Sequence, residues 1–212
     1  GAGTLTDSQA TFADYFIAAY NNVPIAPIYN EDGTYFTGND HAYNQGNMVK
    51  AQDENYKLKK DNYFYGQGDL QFEIIEGLNI KTNLYKSRFT SDFSQWESPD
   101  NALGGGSGNS LGDSSNGYAV RRNFAWDREL MEWTLNYNKA FGAEEKHKLD
   151  ALLGYSWETN QYQSQYSQAT NFAVASMGAN SIQTGNDLKI GNVTSSKNEY
   201  KLISFFARAH YS

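Results

Sequence analysis

The chain has 212 residues, enough for one domain, and contains no cysteine, which excludes disulfides, thiolate metal sites and thiol nucleophiles. Its net charge of -7 and its pI of about 4.9 argue against a nucleic-acid binder, because such proteins usually carry a clustered basic face. Aromatic residues make up 15% of the chain although its mean hydropathy is -0.70, a combination that suits strands with one apolar and one wet face.

The first 57 residues are predicted to be mostly loop. Within them, residues 6–22 predict a short helix, because Thr6 and Gln9 form a capping box and aromatic residues follow at helical spacing. Prolines and the turn Asn30–Gly33 come next, so the stretch Val23–Lys50 is expected to hold only brief extended pieces. No apolar run approaches the roughly 18 residues of a transmembrane helix.

From residue 58 onward, the sequence predicts an all-β antiparallel meander of five strands. Apolar and polar side chains alternate in each strand, so the apolar ones share one face. Leu152 and Phe206 are exceptions that fall on the polar faces. The predicted apolar face carries Phe64, Leu70, Phe72, Ile74, Leu78, Ile80, Thr82, Leu84, Met131, Trp133, Leu135, Tyr137, Leu149, Ala151, Leu153, Tyr155, Trp157, Ile203, Phe205, Ala207, Ala209 and Tyr211.

The predicted connections alternate between short and long. Tight turns are expected at Ile75–Leu78 and Lys139–Lys146, and Gly-, Ser- and Asn-rich excursions at Ser91–Tyr118 and Thr159–Asn198. The apolar stretches run about 9 residues, the length of a tilted strand that crosses a bilayer. Short turns on one side and long loops on the other are typical of an outer-membrane β-barrel. A soluble sheet with one buried face shows the same alternation, so that alternative stays open.

Aromatic residues gather near the ends of the predicted strands, as in the interfacial girdles of membrane barrels. On the side of the long loops, the girdle is expected to contain Phe89, Phe93, Trp96, Trp126 and Trp157. Other rings stand among amide and hydroxyl side chains, a mixture that can bind sugars or peptides. The candidate substrate contacts are Tyr29, Tyr35, Trp96, Tyr118, Tyr162 and Tyr166.

The sequence predicts no enzyme activity and no cofactor or metal. Its three histidines fall on separate segments without a second ligand at metal spacing. Asp127 and Glu129 are expected on one strand face and Glu132 on the other. Paired carboxylates can hydrolyse glycosides, so a surface glycosidase is an alternative, although charges above a membrane edge explain these residues better.

The chain resembles the SusC/RagA-type TonB-dependent outer-membrane transporters over nearly its whole length. The order and spacing of several segments carry the resemblance. They are Pro27–Tyr35, Asp100–Gly106, a hairpin with Trp126–Glu129, Leu135–Tyr137, Phe141–Gly142, His147–Leu149, Gly154–Tyr155 and Trp157–Glu158, and the strand Tyr200–Tyr211.

This resemblance implies a Gram-negative outer-membrane barrel of roughly 22 strands with a plugged lumen. Residues 1–212 are then part of one barrel domain without its plug or remaining strands. Residues 1–57 are mostly extracellular loop with a short helix, and residues 58–212 hold five barrel strands and two long loops. Because five strands cannot close such a barrel, the segment alone is expected to be neither a stable membrane protein nor an active transporter.

The implied function is TonB-dependent import of oligosaccharides or peptides. The implied partners are a TonB complex, acting through the missing plug region, a SusD-like surface lipoprotein that forms a lid, and outer-membrane lipid, with no nucleic acid among them. A soluble β-rich carbohydrate-binding module is the alternative. It would require that the apolar strand faces are buried within the chain.

Overall fold

The computed structural model describes residues 2–8, 27–36, 47–99, 117–186 and 190–212. In this part of the chain, six antiparallel strands form one open sheet in chain order. The strands are β1 Ala2–Ser8, β2 Tyr56–Ile75, β3 Leu78–Glu97, β4 Tyr118–Phe141, β5 His147–Thr170 and β6 Val193–Tyr211. The helix α1 covers Met48–Glu54, and two 3-10 segments cover Ala143–Glu145 and Ala175–Thr184. The predicted all-β antiparallel meander is confirmed.

The strand register confirms the predicted faces. Residues directly opposite each other in a sheet share a face, and one such row joins Leu84, Met131, Trp157 and Ile203. All the residues predicted to be apolar-facing in β3 to β6 lie on this side, which we call the outer face; the other side is the inner face. Phe205 is 79% exposed on the outer face, so the apolar residues are not sealed inside the chain.

The predicted asymmetry of the connections is also confirmed. Glu76 and Gly77 join β2 to β3, and residues 142–146 join β4 to β5 at the same end of the sheet. Gly77 has a φ of 79°, in the left-handed region that glycine adopts without a Cβ clash. The connections between β1 and β2, β3 and β4, and β5 and β6 all leave from the opposite end, which we call the loop end.

The start of the predicted N-terminal helix is wrong. Thr6 lies in β1, opposite Lys60 of β2, so strand pairing prevails over the local helical spacing. The rest of the predicted helix, residues 9–22, lies outside the described residues. The helix that the structure does contain is α1, where the side chain of Asn47 accepts hydrogen bonds from the backbone N–H groups of Val49 and Lys50, both at 3.1 Å.

The strands are longer than predicted, and the long loops are correspondingly shorter. β3 continues past Ser91 to Glu97, and β5 continues past Thr159 to Thr170. In these extensions the outer face becomes largely polar and most of the aromatic residues fall on the inner face, so the apolar pattern of the shorter predicted strands ends although the pairing continues, as between Gln163 and Lys197. The strands therefore extend well beyond the 9–11 residues that a tilted strand needs to cross a bilayer.

A small buried core lies at the loop end of the outer face. Phe172 is fully buried there and packs edge-on against Trp96, with 5.0 Å between the ring centroids. Ala179, in the second 3-10 segment, completes the contact, and its backbone N–H donates to Tyr56 Oη at 3.3 Å. Residues 172–179 of the connection after β5 thus fold onto the outer face. No helix in the described ranges is both long and apolar enough to cross a membrane.

Candidate functional site

Both faces of the sheet change polarity at the same row. The apolar outer-face residues from β3 to β6, which we call the apolar band, end at the row that contains Leu84 and Trp157. The next row toward the loop end contains the charged residues Lys86, Glu129 and Lys201. The inner face does the reverse, because apart from Leu152 and Phe206 it is polar behind the band and becomes aromatic beyond it.

The aromatic part of the inner face is the candidate functional site, and we call it the aromatic wall. Phe89, Phe124 and Tyr162 form a continuous line across three strands, with ring centroids 5.3 and 6.1 Å apart. Several of these rings remain open to solvent, and Trp126 is 52% exposed. The wall consists of Tyr63, Tyr65, Tyr85, Phe89, Phe93, Phe124, Trp126, Tyr162, Tyr166 and Tyr200. Contiguous exposed aromatic side chains are typical of binding surfaces.

Arg122 gives the aromatic wall a positive charge. Its guanidinium lies over the ring of Phe93 at 5.8 Å and over the ring of Tyr166 at 5.6 Å. Each such contact contributes about 0.5–1 kcal/mol at an exposed site, because the negative ring face attracts the cation. The two rings hold the guanidinium in place while Arg122 itself stays exposed. Arg122 can therefore donate a charged hydrogen bond to an acceptor on a ligand.

A hydrogen-bonded chain fixes the orientation of Trp126. Its Nε1 donates to Asn160 Oδ1 at 3.2 Å, and Asn160 Nδ2 donates to Glu158 at 2.6 Å. Arg128 closes the chain by an ion pair with Glu158 at 3.0 Å. Asn160 is only 4% exposed, so its polar groups need these partners. The indole is held in one orientation, which lowers the conformational cost of stacking a ligand on it.

The structure brings three of the six predicted contacts together. Tyr118, Tyr162 and Tyr166 all point to the inner face from β4 and β5. The hydroxyls of Tyr118 and Tyr166 both donate to Gln168 Oε1, with 3.5 Å between the atoms in the Tyr118 bond. Burial raises the pKa of Tyr118 to about 12, so its hydroxyl stays protonated and remains a donor even at a pH where a hydrated phenol ionises.

The other three predicted contacts lie elsewhere. Trp96 is on the outer face, 5% exposed and packed against Phe172, so its ring is not open to a ligand and is not part of the wall. Tyr29 and Tyr35 bridge a separate turn with ring centroids 5.4 Å apart. The hydroxyl of Tyr35 donates to Asp53 of α1. Tyr29 is half exposed and stays a prediction, as does Tyr35.

Phe89, Phe93 and Trp126 correct the predicted girdle. They lie on the inner face rather than on the outer one, whereas Trp157 does lie at the edge of the apolar band. Arg122 and Phe124 were not predicted as site residues at all. Their positions in the strand give the missing signal, because they alternate with the apolar-band residues of the same strand and so fall on the opposite face.

The predicted carboxylate pair gives no support to a glycosidase. Asp127 and Glu129 share the outer face, as predicted, and Glu132 faces inward. Arg88 lies 3.7 Å from Asp127, and Lys86 lies 2.6 Å from Glu129. Both carboxylates are therefore neutralised by cations, on the face opposite the aromatic wall. Among the described residues, no group of three His, Cys, Asp or Glu side chains is placed to hold a metal ion.

Comparisons with known proteins bear on the fold of the sheet. No family model matches the chain. The TonB-dependent receptor P3 of Formosa agariphila is 28% identical over 198 residues, which are 93% of this chain and 18% of that protein. The RagAB peptide importer in its closed-closed state has a TM-score of 0.63 at 19% identity, over 87% of this chain and 20% of that chain.

A second structure of the same importer, in its open-open state, gives a TM-score of 0.57 at 20% identity, over 87% of this chain and 19% of that chain. These likenesses show the fold. The chain therefore spans about a fifth of the length of the relatives that it matches. The sequence and fold comparisons together confirm the resemblance that the sequence predicted.

Proposed function

We propose that this chain, a barrel segment of a SusC/RagA-type TonB-dependent transporter, takes part in energised import of oligosaccharides or peptides across the outer membrane. The exposed apolar band carries the proposal. It crosses four neighbouring strands, and residues such as Leu153 and Phe205 are 57% and 79% exposed within it. Hydrocarbon tails are the solvent for which such a surface is suited. A soluble module would bury it.

In this proposal, the inner face lines the lumen. The polar rows behind the apolar band stand at the depth of the bilayer, where water-filled lumens carry polar side chains. The aromatic wall lies beyond the bilayer, on the side of the long loops. Substrate would bind there by stacking on rings and by hydrogen bonds, without covalent chemistry. The complete protein, of which this chain is a segment, would act as a transporter and not as an enzyme.

The proposed partners follow from the family. A SusD-like lipoprotein would cover the loop end as a lid, and a TonB complex would act through the plug region of the longer protein. The structural neighbour RagAB is a peptide importer, which supports the peptide option for substrate. Extended strands with exposed rings and amide side chains suit oligosaccharides equally, so both substrate classes belong to the proposal.

The open sheet supports the view that further strands complete the barrel. β1 and β6 each pair with one neighbour only among the described residues. In a bilayer, an unpaired backbone N–H or C=O costs several kcal/mol, because no water is present to replace the missing partner. We therefore expect the edge of β6 that points away from β5 to pair with another strand of the same transporter.

Site-directed spin labelling of the complete receptor tests which face meets lipid. Cysteines would replace Leu153 and Phe205 in the apolar band, and Ser156 and Ser204 on the inner face, in a cysteine-free background. Labels at the first pair should collide with dissolved oxygen more than with a water-soluble nickel complex. Labels at the second pair should do the reverse. Equal nickel accessibility on both faces would overturn the membrane proposal.

An uptake assay tests the transport step. Cells that produce the complete receptor should deplete labelled oligosaccharides or peptides from the medium only when a functional TonB complex is present. Deleting the receptor gene should remove this uptake, and the complete gene should restore it. Uptake that persists without the receptor or without TonB would contradict the proposal.

A further inference from the structure

Two grooves lie on the outer face of the described strands. The lower groove lies within the apolar band and has a volume of about 490 Å³. Trp133, Tyr155 and Phe205 form its walls, and the smaller Leu153 and Ala207 leave the space between them. Because hydrocarbon is expected around this surface, an apolar groove here suits a single acyl chain better than it suits water.

The upper groove lies beyond the apolar band, nearer the loop end, and has a volume of about 590 Å³. Ala125 is 6% exposed at its floor, and its small side chain creates the hollow. Amide and hydroxyl groups dominate the lining, which includes Thr90, Asn123, Gln163, Gln165 and Ser195. These groups both donate and accept hydrogen bonds, as sugar hydroxyls require.

Cationic side chains lie between the two grooves. Lys86 and Lys201 occupy the first row above the apolar band, and their side chains are 60% and 61% exposed. Arg88 follows in the next row and Lys197 in the third, and both reach the upper groove. Along the strands toward the loop end, the order is therefore the apolar groove, the cations and then the polar groove.

The charge of this region differs from that of the chain. The three rows above the apolar band, from β2 to β6, hold four cations and only three carboxylates, whereas the whole chain has a net charge of -7. The carboxylates Glu129 and Glu199 lie 2.6 and 3.0 Å from Lys86 and Lys201. They hold the lysines at the band edge, where a phosphate group of a lipid would stand.

We propose that this part of the outer face binds a phosphorylated glycolipid of the outer leaflet. One acyl chain fills the lower groove, the phosphate groups contact Lys86, Arg88 and Lys201, and the first sugars lie in the upper groove. The proposal rests on the proposed function, because it requires that the outer face meets the membrane. It adds a lipid site on the side opposite the aromatic wall, so lipid and substrate do not compete.

The test compares purified complete receptors, reconstituted in lipid nanodiscs that contain lipopolysaccharide. Native mass spectrometry counts the lipopolysaccharide molecules that each receptor retains after mild delipidation. The double variant Lys86→Gln/Lys201→Gln should retain at least fivefold less, and so should Ala207→Phe, which fills the lower groove. The matched control Lys57→Gln/Lys59→Gln removes two lysines from the inner face and should retain as much as the wild type.

The lipid chemistry is tested in parallel. The wild type should retain dephosphorylated lipopolysaccharide only weakly. This retention should match that of intact lipopolysaccharide by the double variant. Equal retention of phosphatidylglycerol would mean that the surface recognises charge alone, and this would overturn the glycolipid assignment. Equal lipopolysaccharide retention by the wild type and the double variant would overturn it as well.

Two controls distinguish a loss of lipid binding from a folding defect, and a failure of this proposal from a failure of the import proposal. The charge-conserving variant Lys86→Arg/Lys201→Arg should keep lipopolysaccharide and thereby show that a loss is not a folding defect. Spin labels at Leu153 report independently whether the apolar band meets lipid. Suppose that these labels show the apolar band in contact with lipid, and that Lys86→Gln/Lys201→Gln retains as much lipopolysaccharide as the wild type. The glycolipid proposal is then wrong, and the import proposal is unaffected.

Discussion

The ring of Phe206 on β6 lies directly over Gly154 on β5, its partner in the sheet register. A Cβ added at Gly154 would lie 2.1 Å from the Cε2 and Cζ atoms of that ring. The aromatic side chain thus occupies the space that a residue 154 side chain would fill. Aromatic residues across from glycines protect exposed strand backbone in this way.

This relationship predicts that Gly154→Ala destabilises the receptor. The added methyl group forces the Phe206 ring from its position, and overpacking of this kind costs about 1–3 kcal/mol. Thermal unfolding of the detergent-solubilised complete receptor, followed by its heat-dependent gel mobility, measures the loss. Gly68→Ala is the matched control, because a Cβ at Gly68 meets nothing within 4 Å. A control variant as unstable as Gly154→Ala would contradict the explanation.

The face of each strand was predictable from the sequence. Leu84 and Ile80 in β3 and Met131 in β4 must share the apolar face. Once the short turns are located, this requirement sets the register of the two strands. A slip of one residue would move every apolar side chain to the other face, so the alternation leaves one solution. Phe206 broke the pattern because its role depends on Gly154, which is distant in sequence and adjacent only in the sheet.

The aromatic wall and β1 were less accessible to sequence reasoning. Beyond the apolar band, β3 and β5 are largely polar on the outer face, with Trp96 as an exception, and aromatic on the inner face, so the hydrophobic alternation reverses its parity within one strand. Trp126 and Met131 show this reversal in β4. β1 is short and polar, and only its pairing with β2 identifies it as a strand.

A charge in the apolar band should impair membrane assembly. Leu153→Lys puts an ammonium group at the middle of the band, where the cost at a bilayer midplane is about 2–4 kcal/mol. We expect a strong reduction of folded receptor in isolated outer membranes, measured by immunoblot of the heat-modifiable form. Ser156→Lys, on the same strand but on the inner face opposite Glu132, should assemble normally. Similar assembly of both variants would argue that the outer face does not meet hydrocarbon.

Removing rings from the aromatic wall should weaken substrate binding. Tyr162→Ala and Trp126→Ala each delete an exposed ring, and aromatic contacts contribute about 0.5–1.5 kcal/mol beyond buried area, or roughly two- to tenfold in affinity. Isothermal titration of the complete receptor with its substrate measures the change in Kd.

The control for the ring deletions is Gln161→Ala. Gln161 neighbours Tyr162 in β5 but lies on the outer face, opposite Glu199. Its truncation should leave the Kd unchanged, because Gln161 lies on the face of the sheet opposite the aromatic wall. An equal loss of affinity in Gln161→Ala and Tyr162→Ala would mean that the substrate does not recognise the inner face specifically.

The core around Phe172 should anchor the connection between β5 and β6. Phe172→Ala leaves a cavity against Trp96, and such truncations cost about 3–5 kcal/mol. Local opening of residues 171–186 should therefore rise at least about a hundredfold, measured as the rate of limited proteolysis of the intact receptor. Val174→Ala is the control, since Val174 is 49% exposed. An unchanged cleavage rate in Phe172→Ala would show that other contacts hold the segment.

The ionisation of Tyr118 should occur at unusually high pH. Burial raises its pKa from 10.0 to about 12, because the phenolate loses hydration at the loop end of the sheet. The folded state therefore favours the neutral phenol. The associated stability is fully present below pH 10 and is lost as the pH rises from 10 toward 12. Ultraviolet titration of tyrosinate in the wild-type receptor, minus that of Tyr118→Phe, should isolate one group with a midpoint near pH 12. A difference midpoint near pH 10 would mean that Tyr118 is fully hydrated and that the tip of β4 is open to solvent.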